Sequence, residues 1–210
     1  MKKTLLLLSS LLAALCTAEE SFVLFDFDDV KDGTLPSGIE VLNGADDAGS
    51  VVVVSSEVVG SQSLQLVGDL IGSDGRGYRS MAAIKLSQQF NPAQYERFQA
   101  ALSSANKTWR IQFDLWINTS SMSFFKLEFG LNSTSSGYQK AGGASFLNIK
   151  EKDLNALGIG VQYFGQIVLQ STDFAKPILQ GDTFYNFTFK QNSKAGMLPA
   201  FYVDNIEIFF

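Results

Sequence analysis

Histidine is absent from this 210-residue chain, and cysteine occurs once, at Cys16. Without histidine there is no Ser-His or Cys-His nucleophilic pair and no His-ligated zinc. With a single cysteine there is no intrachain disulfide, so a hydrophobic core must hold the fold unaided. Charge is also scarce. Asp, Glu, Lys and Arg make up 18% of residues, with 21 acidic against 16 basic and a net charge of −5. There is no Lys/Arg cluster, and an acidic chain repels phosphate backbones, so nucleic acid is not expected as a partner. The Gly75-Arg76-Gly77 string lacks the Lys-Ser/Thr and the following helix of a phosphate loop. No segment after residue 18 is long and apolar enough for a transmembrane helix.

What the chain does contain points to an exported, well-packed domain. Hydrophobic residues reach 46%, with 18 Phe, 6 Tyr and 2 Trp, which excludes disorder as the main state. Lys2 and Lys3 precede an apolar run from Thr4 to Leu15, and small residues follow at Cys16-Thr17-Ala18. This is the pattern of a secretory signal peptide over 1–18, too short to span a bilayer. Leu15 stands where a lipoprotein signal needs a small residue before its cysteine. The expected product is a single domain over 19–210, secreted or periplasmic, with no membrane span.

Alternating apolar and polar residues dominate that domain. Ser21–Asp28, Ser50–Ser56, Ser63–Leu70, Tyr78–Leu86, Thr108–Asn118 and Ser123–Asn132 have the period of strands. So do Ser145–Ile149, Leu157–Phe164, Gln166–Thr172, Thr183–Gln191 and Phe201–Phe210. Turn material such as Asn43-Gly44, Ser73-Asp74-Gly75 and Ala141-Gly142-Gly143 separates them. One stretch differs. Asn91 and Pro92 suit a helix cap and first turn, and Tyr95, Phe98 and Leu102 follow at helical spacing. The sequence therefore predicts an all-β, two-sheet antiparallel β-sandwich with one short helix near 92–104. The Asn-x-Ser/Thr strings at Asn106, Asn118, Asn132 and Asn186 read as turn and strand composition.

Parity singles out one candidate surface. In 108–118, Ile111, Phe113, Leu115 and Ile117 share one face, and Arg110, Gln112, Asp114 and Trp116 share the other. In 123–132, Phe125, Leu127, Phe129 and Leu131 share a face opposite Phe124, Lys126, Glu128 and Gly130. A hairpin turn at 119–122 would bring Trp116 near Phe124 and Asp114 near Lys126. Aromatic faces stack on pyranose C–H groups, while charged and amide groups bond hydroxyls, so this mixture suits a glycan. The same pattern also fits a solvated face of cross-strand ion pairs, or a Trp116 covered by a helix or loop. Gly158 and Gly160 would share one face and leave a groove or allow close sheet approach.

Two ends of the chain carry a further pattern. Phe25-Asp26-Phe27-Asp28-Asp29 leads to Asp32-Gly33, Gly60-Ser61-Gln62-Ser63-Leu64 follows, and the chain closes on Tyr202-Val203-Asp204-Asn205-Ile206. This order resembles bacterial β-jelly-roll carbohydrate-binding modules of the galactose-binding-like type. The resemblance implies a jelly roll, a polysaccharide or glycan partner and no catalysis. It also implies a structural calcium ion near the first and last strands, with Asp26, Asp28 and Asp204 as ligands. The alternatives are a structural or adhesive surface module without a small ligand, and a glycan-cleaving jelly roll. For the last, Glu151-Lys152-Asp153-Leu154-Asn155 lacks the second glutamate of a laminarinase-like strand. Asp114 and Glu128 remain the acid pair that could face one another. Gly137-Tyr138-Gln139-Lys140 only faintly echoes a lyase Tyr-Lys segment.

Overall fold

The computed structural model describes residues 19–42, 50–67, 79–103, 109–119, 125–133, 137–140, 147–149, 156, 158–174, 184–193 and 200–210. Expectations for 1–18, the Asn43-Gly44 turn, the 72–78 loop, Phe124 and 151–155 lie outside these residues. The strands are β1 (Ser21–Phe25), β2 (Ile39–Val41), β3 (Ser50–Ser55), β4 (Gln62–Val67), β5 (Arg79–Ile84), β6 (Arg110–Asn118) and β7 (Phe125–Ser133). They continue with β8 (Gly137–Lys140), β9 (Leu147–Ile149), β10 (Val161–Gln170), β11 (Phe184–Ser193) and β12 (Ala200–Phe209). Two helices, α1 (Leu86–Gln89) and α2 (Pro92–Ser103), join β5 to β6.

These strands form two antiparallel sheets. Sheet A runs β10-β6-β12-β4-β3, with β1 also paired to β12. Sheet B runs β2-β5-β11-β7-β8, with β9 also paired to β7. The β-sandwich expected from alternation is therefore present, and between β5 and β6 it carries α1 as well as the expected helix. The two runs at 157–164 and 166–172 are one strand, β10, bent at Gly165.

The expected 108–132 hairpin does not form. β6 and β7 lie in different sheets. Both strands still turn the expected side inward. Ile111, Phe113, Leu115 and Ile117 are buried, as are Leu127, Phe129 and Leu131. Each apolar face meets the opposite sheet, instead of the two lying side by side. Phe113 of sheet A contacts Phe129 and Phe189 of sheet B, with ring centroids 4.9 and 5.1 Å apart. This interdigitation of inner faces is how two sheets form one core.

Helix α2 begins as its sequence predicts. Asn91 Oδ1 accepts from the Gln94 amide at 2.9 Å, and Gln94 Oε1 accepts from the Asn91 amide at 3.0 Å. This reciprocal pair satisfies two of the amides a helix start leaves unpaired. Phe90 and Phe98 then pack on each other, and each meets a terminal strand: Phe90 touches Phe22, and Phe98 touches Phe210. The helix thus covers one corner of the core.

Candidate functional site

The core parity of β6 places Arg110, Gln112, Asp114 and Trp116 on the outer face of sheet A. The ladders fix their neighbours. Trp116 stands between Tyr163 of β10 and Tyr202 of β12, and Tyr202 pairs onward with Gln65 of β4. The result is a row across four strands of Tyr163, Trp116, Tyr202 and Gln65. The Gln65 amide donates to the Tyr202 hydroxyl at 3.1 Å. Trp116 is half-buried, and its ring lies 5.1 Å from that of Tyr163 at 52°. Tyr163 is 54% exposed, which is costly for a large aromatic unless something covers it.

The next row holds the polar part. Asp114 accepts two hydrogen bonds, one on each oxygen, from the Tyr163 hydroxyl at 2.9 Å and the Asn205 amide at 2.9 Å. Its carboxylate is therefore fixed against the aromatic pair. The Tyr163 phenol is pushed above its ordinary value, first by partial desolvation and then by Asp114. Gln112 donates to Glu207 at 3.0 Å. A depression of about 390 Å³ opens here, lined by Val23, Asp26, Gln112, Asp114, Gln166, Asn205 and Glu207.

Three breaks in strand register surround this depression. On β12, Asn205 and Ile206 together oppose Phe113, because Asp204 pairs with Asp114 and Glu207 with Gln112. On β10, Phe164 is the extra residue between the pairs Tyr163–Trp116 and Gly165–Leu115. On β1, Leu24 is extra between Val23–Glu207 and Phe25–Ile206. Each extra residue bends its strand and re-aims the side chains beside it. The depression on this sheet is where the bends meet.

Arg110 lies one row further along. It bridges to Glu19 at 2.5 Å and sits 3.9 Å over the Phe209 ring. Those contacts commit it to the terminal strands and away from the depression. Lys126 and Glu128 are not on this face at all, since β7 belongs to sheet B. Glu128 is 1% exposed, and it cannot face Asp114 across a cleft. Of the seven residues expected on one plate, Gln112, Asp114 and Trp116 share this face, Arg110 is at its margin, Lys126 and Glu128 belong to sheet B, and Phe124 lies outside the described residues. Tyr163, Gln166, Asn205 and Glu207 complete the plate and were missed. Gly158 and Gly160 are not part of a strand groove. Both lie in the loop before β10 with positive φ, and the Thr119 hydroxyl donates to both carbonyls, at 2.6 and 2.9 Å.

Asp26, Asp28 and Asp204, suggested for calcium, are all among the described residues. Among the described residues, no group of three or more acidic side chains is placed to hold a metal ion. Asp204 is 2% exposed and its oxygens accept from the Ser61 hydroxyl at 2.5 Å and the Asn205 backbone amide at 2.8 Å. Burial pushes its carboxyl above the usual range, with Asp28 and Asp114 adding repulsion. As placed, Asp204 is a buried carboxylate held by two hydrogen bonds.

No protein-family model and no curated protein matches the sequence. Solved structures do match. One described as a non-crystalline cellulose specific carbohydrate-binding module, CBM28, aligns with a TM-score of 0.59 and 11% identity over 89% of this chain and 94% of that one. An exo-β-agarase aligns with a TM-score of 0.50 and 14% identity over 89% of this chain and 24% of its own. An arabinose-bound α-L-arabinofuranosidase gives 0.50 and 15% over 90% and 26%. This chain thus spans about a quarter of either enzyme. At these identities the likeness establishes the fold, which is the β-sandwich seen in carbohydrate-binding modules.

Proposed function

We propose that the protein is an exported, non-catalytic β-sandwich that binds a polysaccharide on the outer face of sheet A. One observation carries this. The half-exposed Tyr163–Trp116 pair is locked to Asp114 at the mouth of a depression lined by three amides and three carboxylates. A sugar ring stacked on the pair would place its hydroxyls against Asp114, Gln112 and Gln166, all acceptors or two-way partners. The match to a module described as specific for non-crystalline cellulose supports the class of ligand. The separation of Asp114 and Glu128 onto different sheets removes that pair as the two carboxyls that would flank one glycosidic bond.

Affinity electrophoresis through gels containing hydroxyethylcellulose, agarose or arabinan tests the proposal. Wild-type protein should be retarded by one of them, and Trp116→Ala and Tyr163→Ala should run free. The same polysaccharides should release no reducing sugar. Retardation unchanged in both variants would remove sheet A as the binding face.

A further inference from the structure

The β12 bulge holds a residue whose backbone does not suit it. In a bulge of this type the first residue takes a left-handed φ, and glycine is the usual occupant because it has no Cβ. Here the position is Asn205, with φ of 51°. Asparagine tolerates that region better than most residues, yet glycine would fit with less strain. What asparagine adds there over glycine is its side chain, which lines the depression.

The Asn205 side chain is exposed and its amide donates to Asp114 Oδ2 at 2.9 Å. The other oxygen of Asp114 accepts from Tyr163. The two donors come from opposite neighbouring strands and both stand at register breaks. Together they fix the rotation of one carboxylate and of the exposed tyrosine ring bonded to it. We propose that Asn205 is a positioning residue for the glycan site, holding Asp114 and through it Tyr163 in the geometry that receives a sugar. This rests on sheet A being the binding face. The same bulge buries Asp204 and turns Asn205 outward, so one irregularity separates a structural acid from a site amide.

The test uses Asn205→Gly, which keeps the backbone conformation and deletes only the amide. It is compared with Asn205→Ala, which keeps the strain and also deletes the amide. Melting temperature and retardation are measured for the exported protein on whichever of hydroxyethylcellulose, agarose or arabinan retards wild type. Asn205→Gly should melt at or above the wild-type temperature while binding about tenfold more weakly, as for loss of a hydrogen bond to a charged group. Asn205→Ala should lose both stability and binding. In an Asp114→Asn background, adding Asn205→Gly should change binding little, because the partner it positions is already altered. Unchanged binding in Asn205→Gly, with Tyr163→Ala still disruptive, would overturn the inference and leave the binding face standing. A melting temperature that falls in Asn205→Gly would make the residue structural and overturn it too. Wild type retarded by none of the three polysaccharides would overturn both.

Discussion

The two outer faces of the sandwich come from the same alternation of residues, yet around β6 the face is open and around β11 it is covered. On sheet A the outward positions of β6 are partly accessible and flank a depression. On sheet B the outward Ala83, Glu128 and Thr188 are at most 2% exposed, and Asn186 is 7%. The ladders explain part of this. Ala83, Thr188 and Gly130 stand side by side on β5, β11 and β7 and form a row of small residues. Such a row is low enough for other chain to lie closely over it. Around β6, three register breaks tilt neighbouring side chains away from a flat array. Periodicity thus separates inside from outside but does not tell a covered outer face from an open one.

The largest contrast lies within β6 itself. Phe113→Ala removes a ring that joins the two sheets and should cost about 3–5 kcal/mol in a urea melt. Trp116→Ala, three residues on and facing outward, should cost well under half of that while abolishing glycan retention. Equal losses would mean that Trp116 is packed as core. The next contrast sets the two outer faces against each other. Glu128→Ala, on the covered face, should destabilise by about 1–3 kcal/mol, because it empties a packed site and removes the carboxylate its partner engages. Gln112→Ala, on the open face, should stay within about 0.5 kcal/mol. Similar values for the two would show that the sheet B face is not covered in solution.

Much of this architecture was legible in the sequence, and the limits are specific. The inward faces of β6 and β7 followed from parity because a one-residue slip would bury Asp114 or Lys126. The pairing of those strands did not follow, since alternation carries no information about which strand lies beside which. A short link such as 119–124 serves a hairpin or a crossing between sheets equally well. Half of the site was missed for the same reason. Trp116 and Asp114 stood out on their own strand, but Tyr163 and Asn205 reach them only through the ladders. One signal was available. In β12 the apolar residues that enter the core run Phe201, Val203, then Ile206 and Ile208, and that change from odd to even numbers marks the bulge at Asn205. Phe164 followed by Ile167 and Leu169 marks the one in β10 in the same way.

The smallest expected effect concerns Asp204, which lies on the open sheet but behaves like a residue of the covered one. Its carboxyl is raised by burial, so the folded state holds its proton more tightly than the unfolded chain does. A raised acid contributes stability below its unfolded value, and that contribution is lost as pH climbs through the higher folded value. Above about pH 4, the ordinary carboxylate range, this one group therefore works against the fold as pH rises toward its higher folded value. Asp204→Asn should remove the decline. The amide carbonyl can still accept from the Asn205 backbone, and the Ser61 hydroxyl can reverse and accept from the new NH₂. The variant's melting temperature should then vary less with pH across that range and equal or exceed wild type at neutral pH. A calcium ion on Asp204 would give the opposite signs. Ion binding would favour the ionised carboxylate, melting would fall with chelator, and Asp204→Asn would be the less stable protein at neutral pH. One pH series of melts, with and without chelator, therefore decides whether this aspartate is a buried strut or a metal ligand.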